Sequence, residues 1–210
     1  MPRLLVIEVS PRYDHSISRK LTARFVEEWR KLDPQGEVVV RDLAVTPLPY
    51  IDMAWIMGAF SPPEVHSPES AAAVKISNDL IAELKSADFL LIGTPMHNLT
   101  IPAPLKAYID HIVRVGLTVS ERNEGLITDK RAAVILASGG DFSLGAPFEH
   151  LNHASPYLRL VLGFIGIDDL QFVHAGPTRP IIEGREAVDP FLGRFAHEIR
   201  TIVMSWASAA

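Results

Sequence analysis

Phe89-Leu90-Leu91-Ile92-Gly93-Thr94-Pro95-Met96-His97-Asn98, followed by Ile101-Pro102-Ala103-Pro104-Leu105-Lys106, carries the strongest structural signal in the chain. Its first half is a continuous apolar run, which reads as a strand covered on both faces, as parallel strands are. The run stops abruptly and delivers a polar loop into the start of a helix. In open α/β sheets the crevice beyond the carboxyl ends of the strands is the usual binding place. The loop at residues 95–98 is therefore where function is expected.

Working outward, residues 3–9 form a short apolar strand broken by Ser10-Pro11-Arg12, and residues 17–32 carry helical spacing at Leu21, Phe25, Val26 and Trp29. Val38-Val39-Val40 is a second strand, and Asp42 to Pro63 is a long irregular connection. Ser67-Pro68-Glu69 opens a helix that should run to about residue 86, with Ser as N-cap and Pro at the first helical position. A strand at 88–94, a helix at 103–115, a strand at 131–137, a helix at 155–163, a strand from Leu170 to Ala175 and a closing helix at 189–206 follow. Phe191, Phe195, Ile199, Ile202 and Val203 mark the inner side of that last helix. Five strands alternating with helices imply one doubly wound parallel sheet with helices on both faces, and the order 2-1-3-4-5 suits them. No repeat, low-complexity tract or linker divides the chain, so residues 1–210 are expected to form a single domain.

Composition narrows the function classes. An apolar fraction of 48% fits a packed globular protein, and a net charge of -5 argues against general attraction to nucleic acid or anionic lipid. With no cysteine, disulfides, iron–sulfur clusters, thiolate zinc sites and a cysteine nucleophile are excluded. The start, Met1-Pro2-Arg3 and then Leu4 to Ile7, is too short to read as a signal peptide, and no segment approaches a membrane span; a cytoplasmic protein is expected.

In the order 2-1-3-4-5 three loops should face one another at the strand ends: Ser10 to Ser18, Pro95 to Asn98, and Ala137 to Gly140. The first offers the hydroxyls of Ser10, Ser16 and Ser18 and free backbone N–H groups at a helix start, which attract a phosphate; alternatively Ser16 or Ser18 simply caps the helix. The paired glycines of Ala137-Ser138-Gly139-Gly140 let backbone approach a flat ligand and present N–H donors, although an ordinary turn reads the same way. Between them, Met96 can lie against a ring edge and Asn98 can pair with its donors and acceptors, which suggests a planar heterocycle.

Other chemistries lack their residues. There is no G-x-x-x-x-G-K-[ST], no G-x-G-x-x-G after the first strand, and no G-x-S-x-G elbow. Glu149, His150 and His153 read as a surface patch, and no metal is expected. Trp29, Phe25 and Phe195 at helical spacing read as core.

The sequence resembles the bacterial FMN-dependent NADH:azoreductases, which are NAD(P)H:quinone oxidoreductases of flavodoxin-like fold. The resemblance covers nearly the whole chain and is carried by Ser10 with Ser16-Ile17-Ser18, Val40-Arg41-Asp42-Leu43, Pro95-Met96-His97-Asn98-Leu99 with Pro104-Leu105-Lys106, and Leu162-Gly163-Phe164-Ile165-Gly166-Ile167. It implies a single flavodoxin-like FMN-binding domain and a homodimer with two FMN molecules near the subunit interface. It also implies NADH or NADPH as co-substrate and small-molecule quinone or azo acceptors. Ser10, Ser16, Ile17 and Ser18 match the family's phosphate loop. Pro95, Met96, His97, Asn98 and Leu99 match the segment beside the isoalloxazine ring, and Ala137, Ser138, Gly139 and Gly140 match the loop near its pyrimidine edge. The chain departs from the family where His97 replaces Tyr or Phe, where Ala137-Ser138 replaces Ser-Arg, and where Thr118-Val119 replaces a Thr-Phe segment before a longer loop. These changes would reshape the substrate pocket.

On this reading the flavin carries two electrons in ping-pong fashion and no side chain need be a nucleophile, though His97 is a possible substrate contact. A flavodoxin-type electron carrier without direct NAD(P)H oxidation is the alternative, and such carriers are usually far more acidic than this chain. A phosphate-ester hydrolase is a third reading, without a plausible nucleophile or metal. Ile51, Met53, Trp55, Ile56, Met57 and Phe60 are too apolar for a freely solvated loop, so they pack either on a partner subunit or back on their own chain.

Overall fold

The computed structural model describes residues 1–207; residues 208–210 of the expected 1–210 domain lie outside them. Five strands, β1 (Arg3–Glu8), β2 (Glu37–Asp42), β3 (Phe89–Pro95), β4 (Arg131–Ala137) and β5 (Asp169–Ala175), form one parallel sheet in the order β2-β1-β3-β4-β5. That is the expected order. Alternate residues of each strand point to opposite faces, so the sheet feeds two apolar layers. Leu5, Ile7, Leu90, Ile92, Val134 and Leu136 pack on one face against α3 (Pro68–Ser86), α4 (Ala103–Ile112) and α5 (Ala154–Phe164). Leu4, Val6, Leu91, Ala133 and Ile135 face α1 (Ile17–Leu32), α7 (Val188–Gly193) and α8 (Ala196–Ala207), and the one-turn α6 (Arg179–Ile182) follows β5.

Local signals held where they were strong. Ser67 Oγ accepts the Ser70 N–H at the start of α3, as an N-cap should. Phe25 and Trp29 are fully buried, and Trp206 stacks on Phe89 at 4.9 Å. Three expectations need correction. The closing helix over 189–206 is two helices, α7 and α8, because the chain tightens at Arg194 and Phe195, whose N–H groups donate to the carbonyls three residues back, at Phe191 and Leu192. The helix read over 103–115 stops at Ile112, where Thr118 folds back, its hydroxyl donating to the Ile112 carbonyl and accepting the Arg114 N–H. The connection from Asp42 to Pro63 is not wholly irregular: it holds α2 (Met53–Ala59), capped by Asp52, whose carboxylate accepts the Trp55 N–H at 2.8 Å. No described helix is long and apolar enough to cross a membrane.

Candidate flavin site

The three loops meet at the carboxyl ends of β1, β3 and β4. Val9 N–H donates to the Gly93 carbonyl, which ties the first loop to β3, and Met96 N–H donates to the Ala137 carbonyl at 2.7 Å, which ties the second loop to the third.

In the first loop Ser10, Ser16 and Ser18 are all buried, and the Ser16 and Ser18 hydroxyls lie 3.1 Å apart. Ser16 is the N-cap of α1, its hydroxyl accepting the Arg19 N–H, so the capping role holds. It leaves the N–H groups of Ile17 and Ser18 with no acceptor among the described residues, and these are the donors a helix start offers to an anion. The Ile17 side chain itself is buried in the core under the loop. Arg19 braces the whole segment. Its Nε donates to the Ser10 carbonyl at 2.8 Å, while its two terminal nitrogens donate to the Asp42 carboxylate at 2.6 and 2.8 Å. The Arg19 hydrogen bond, despite partial burial, holds the Asp42 carboxyl below the ordinary carboxylate range.

Residues His97 to Thr100 close a tight turn in which each of the two N–H groups donates to the other residue's carbonyl. Asn98 and Leu99 both take positive φ, 47° and 69°, as a two-residue mirror-image turn requires. Asn tolerates that conformation; Leu does not readily, and strain of this kind is typical of binding loops. His97 and Asn98 are exposed, while Met96 is half-buried against the core.

In the third loop Ala137 and Ser138 are structural. Ala137 is buried at the end of β4, and the Ser138 hydroxyl donates to the Gly140 carbonyl while its own carbonyl accepts from Thr178. Gly139 and Gly140 keep N–H groups with no acceptor among the described residues. A Cβ at Gly139 would meet nothing within 4 Å, so the space above it is open. A cavity of about 490 Å³ begins at this loop, lined also by Phe142, Phe148 and Arg179. A larger cleft, about 1080 Å³, lies at the opposite, amino-terminal ends of the strands around Met1, Asp88, Lys130 and Trp206.

A flavin mononucleotide needs a cradle for a phosphate, a flat surface for three rings and donors at the pyrimidine edge. Buried hydroxyls with orphan N–H groups, an apolar Met96 shelf and an open, donor-bearing glycine pair fit it in turn. Not every departure from the resembling family reaches this place. Val119 is buried in the core, so its loss of an aromatic ring does not open a pocket within one subunit. Glu149 and His150 are exposed, and the Glu149 carboxylate receives the Gly145 N–H at 2.7 Å.

Sequence reading missed Glu8, the last residue of β1. It is 7% exposed, and burial pushes its carboxyl up to about 7 against the lowering influence of Thr22 and Arg19. It missed as well His174 in β5, whose imidazole burial holds below its ordinary range near Asp141. An acid closing the apolar run Leu4-Leu5-Val6-Ile7 was the one signal available for Glu8.

Comparison with known proteins agrees with the fold. A family model described as a flavodoxin-like fold matches residues 2–198, which defines the class. A Burkholderia lata protein named FMN-dependent NADH:quinone oxidoreductase 8 is 42% identical, the match covering 95% of each chain. A Nostoc punctiforme protein named FMN-dependent NADH:quinone oxidoreductase is 42% identical over 93% of this chain and 100% of its own. The crystal structure of an azoreductase from Bacillus anthracis superposes with a TM-score of 0.85 at 27% identity, over 98% of this chain and 100% of that one. The chain belongs to the FMN-dependent NADH:quinone oxidoreductase family.

Proposed function

We propose that this protein is an FMN-dependent NAD(P)H oxidoreductase that reduces quinones and azo compounds by two-electron, ping-pong hydride transfer. The observation that carries the reading is the pairing of unsatisfied donors across one rim: Ile17 and Ser18 N–H at one end, Gly139 and Gly140 N–H at the other, with Met96 between. FMN, held by these residues, would supply hydride-transfer chemistry between the nicotinamide and the acceptor.

The chain's own residues do the rest. Ser10, Ser16, Ile17 and Ser18 hold the phosphate with hydroxyls and helix-start N–H groups. Pro95, Met96, His97, Asn98 and Leu99 flank the rings, the strained turn at Asn98 and Leu99 fixing the angle at which the segment meets them. Ala137 and Ser138 hold the loop in place so that Gly139 and Gly140 direct N–H donors at the pyrimidine edge, where negative charge grows on reduction. His97, exposed at the rim, touches the acceptor. The oxidised nicotinamide leaves before the acceptor enters the same space.

The active form is a homodimer. Within α2, Trp55 turns inward and meets His111 edge-on at 6.2 Å, whereas Met53, Ile56, Met57 and Phe60 face outward, Phe60 being 77% exposed. Several large apolar side chains turned outward on one short segment support a subunit interface, and residues 1–210 act as one FMN-binding domain in the cytoplasm on small-molecule acceptors.

The test is direct. Purified protein is expected to be yellow, to release FMN on heating, and to oxidise NADH or NADPH with a quinone in parallel-line initial-rate kinetics. Protein that is folded but takes up no FMN overturns the proposal.

A further inference from the structure

Glu8 carries its side chain into the layer between the sheet and α1. Its Oε2 is buried without a polar partner. Its Oε1 lies within hydrogen-bond distance of Thr22 Oγ1, and that same hydroxyl is 2.9 Å from the Arg19 carbonyl oxygen. A hydroxyl has one proton, and a backbone carbonyl can only accept. With Glu8 ionised, two acceptors compete for the single Thr22 proton and an anion sits in a dry layer with one oxygen bare. With the acid protonated at Oε1, Glu8 donates to Thr22 and Thr22 donates to Arg19, and both contacts are satisfied.

The surroundings favour the neutral form. The charged groups facing Glu8 are Arg19 from α1 and Asp42 from the end of β2, and these two are already paired with each other. On the β3 side stands Gly93, the register partner of Glu8, where a Cβ would come 2.5 Å from Thr22 Cγ2 and 3.0 Å from Glu8 Oε2. The glycine leaves room for the carboxyl and offers it no charge. The relay from Glu8 ends on the Arg19 carbonyl, in the first turn of α1, whose N–H groups at Ile17 and Ser18 have no acceptor among the described residues; Glu8 itself stands two residues before Ser10.

We propose that Glu8 is a proton-bearing positioning residue of the phosphate loop: as a neutral acid it admits a dianionic phosphate monoester at Ser16–Ser18, and as a carboxylate it repels one. The inference rests on the reading of that loop as the site of the FMN phosphate. By linkage, a bound phosphate strengthens the hold of Glu8 on its proton, so FMN binding takes up a proton.

Full-length protein freed of flavin is titrated with FMN and with riboflavin, which lacks the phosphate, from about pH 6 to about pH 8, for the wild type and for Glu8→Gln. Gln can donate to Thr22 as the neutral acid does, and it cannot ionise. Across that range the wild-type Kd for FMN is expected to rise about tenfold relative to the variant, the change that a proton lost with a midpoint of about 7 gives by about pH 8. Riboflavin should show no such difference, and the phosphate's own ionisation acts alike on both proteins. Parallel FMN curves for the two proteins overturn the proposal, as does equal weakening of FMN and riboflavin, which marks a purely structural role. Failure of either flavin to bind folded protein instead removes the underlying FMN reading. Should the variant not fold, calorimetry of the wild type in buffers of different ionisation enthalpy at about pH 7.5 decides: proton uptake with FMN and none with riboflavin is expected, and equal uptake for both overturns the proposal.

Discussion

Arg19 and Asp42 form a two-pronged ion pair, 2.6 and 2.8 Å, whose third guanidinium bond holds the Ser10 carbonyl and so ties the edge strand β2 to the loop that follows β1. Lysine cannot reproduce the fork. Arg19→Lys is expected to cost about 1–2 kcal/mol in urea unfolding, part of the ordinary worth of a charged hydrogen bond being screened by solvent, and to weaken FMN binding. Because the Asp42 carboxyl sits below its ordinary 3.8, its share of stability is present above that value and is lost as the pH falls through the lower, folded-state value. The gap between wild type and variant should therefore narrow only in that acid range.

Glu8 titrates with the opposite sign. Its carboxyl is raised from 4.5 to about 7 in the folded protein, so the fold favours the protonated form. That stability is complete below 4.5 and disappears as the pH rises through about 7. The shift corresponds to about 3 kcal/mol at most. Denaturation at about pH 5 and about pH 8.5 should show the wild type losing stability and Glu8→Gln changing much less; the same slope for both proteins would contradict the assignment.

Gly139 separates an ordinary turn from a ligand-facing one. Its Cβ direction is empty, so Gly139→Ala should shift stability by less than about 0.5 kcal/mol while raising the Kd for FMN several-fold by occupying the approach to the ring. Gly176 is the control: a Cβ there would lie 2.4 Å from the Gly140 carbonyl oxygen, and Gly176→Ala should lower the melting temperature outright.

Ser18 is fully buried beside Ser16. Removal of its hydroxyl in Ser18→Ala is expected to weaken FMN by about tenfold, the worth of one hydrogen bond to a charged group, and to leave riboflavin affinity unchanged. Loss of both affinities together would mean that the loop had collapsed.

Met57 in α2 and Phe60 at its carboxyl end are 58% and 77% exposed. Met57→Asp combined with Phe60→Asp should convert a dimer to a monomer in gel filtration with the circular dichroism spectrum retained. A wild type already monomeric at micromolar concentration would rule out the interface.

Much of this architecture was readable before any coordinates. The run Phe89 to Thr94 has the same apolar character on both of its faces, which only a strand buried on both sides explains, and the cap at Ser67 needs nothing beyond its neighbours. The loops could be named for the same reason: each follows a strand whose direction the alternation of elements sets. Where the reading failed, distant chain had intervened. The break between α7 and α8 accompanies the seating of both Phe191 and Phe195 in the core shared with β1 and α1, and α2 exists because Trp55 finds a seat on His111, not because its seven residues favour a helix strongly.

The order of residues by itself determined the parallel sheet, its two apolar layers and the three polar loops, because periodicity and end signals are local. Only the tertiary structure decided which groups in those loops are already spent and which remain free. Ser16 is used as a cap, Ala137 and Ser138 as ties, and Ile17 as core, while the donors at Ile17, Ser18, Gly139 and Gly140 stay open. It also turned Glu8 from an acid at a strand end into a buried one, since burial over Gly93 and contact with Thr22 arise only when α1 folds back across the sheet, bringing together groups fourteen and more residues apart. Charge and hydrogen-bond satisfaction depend on what surrounds a group in space, and no local pattern carries that.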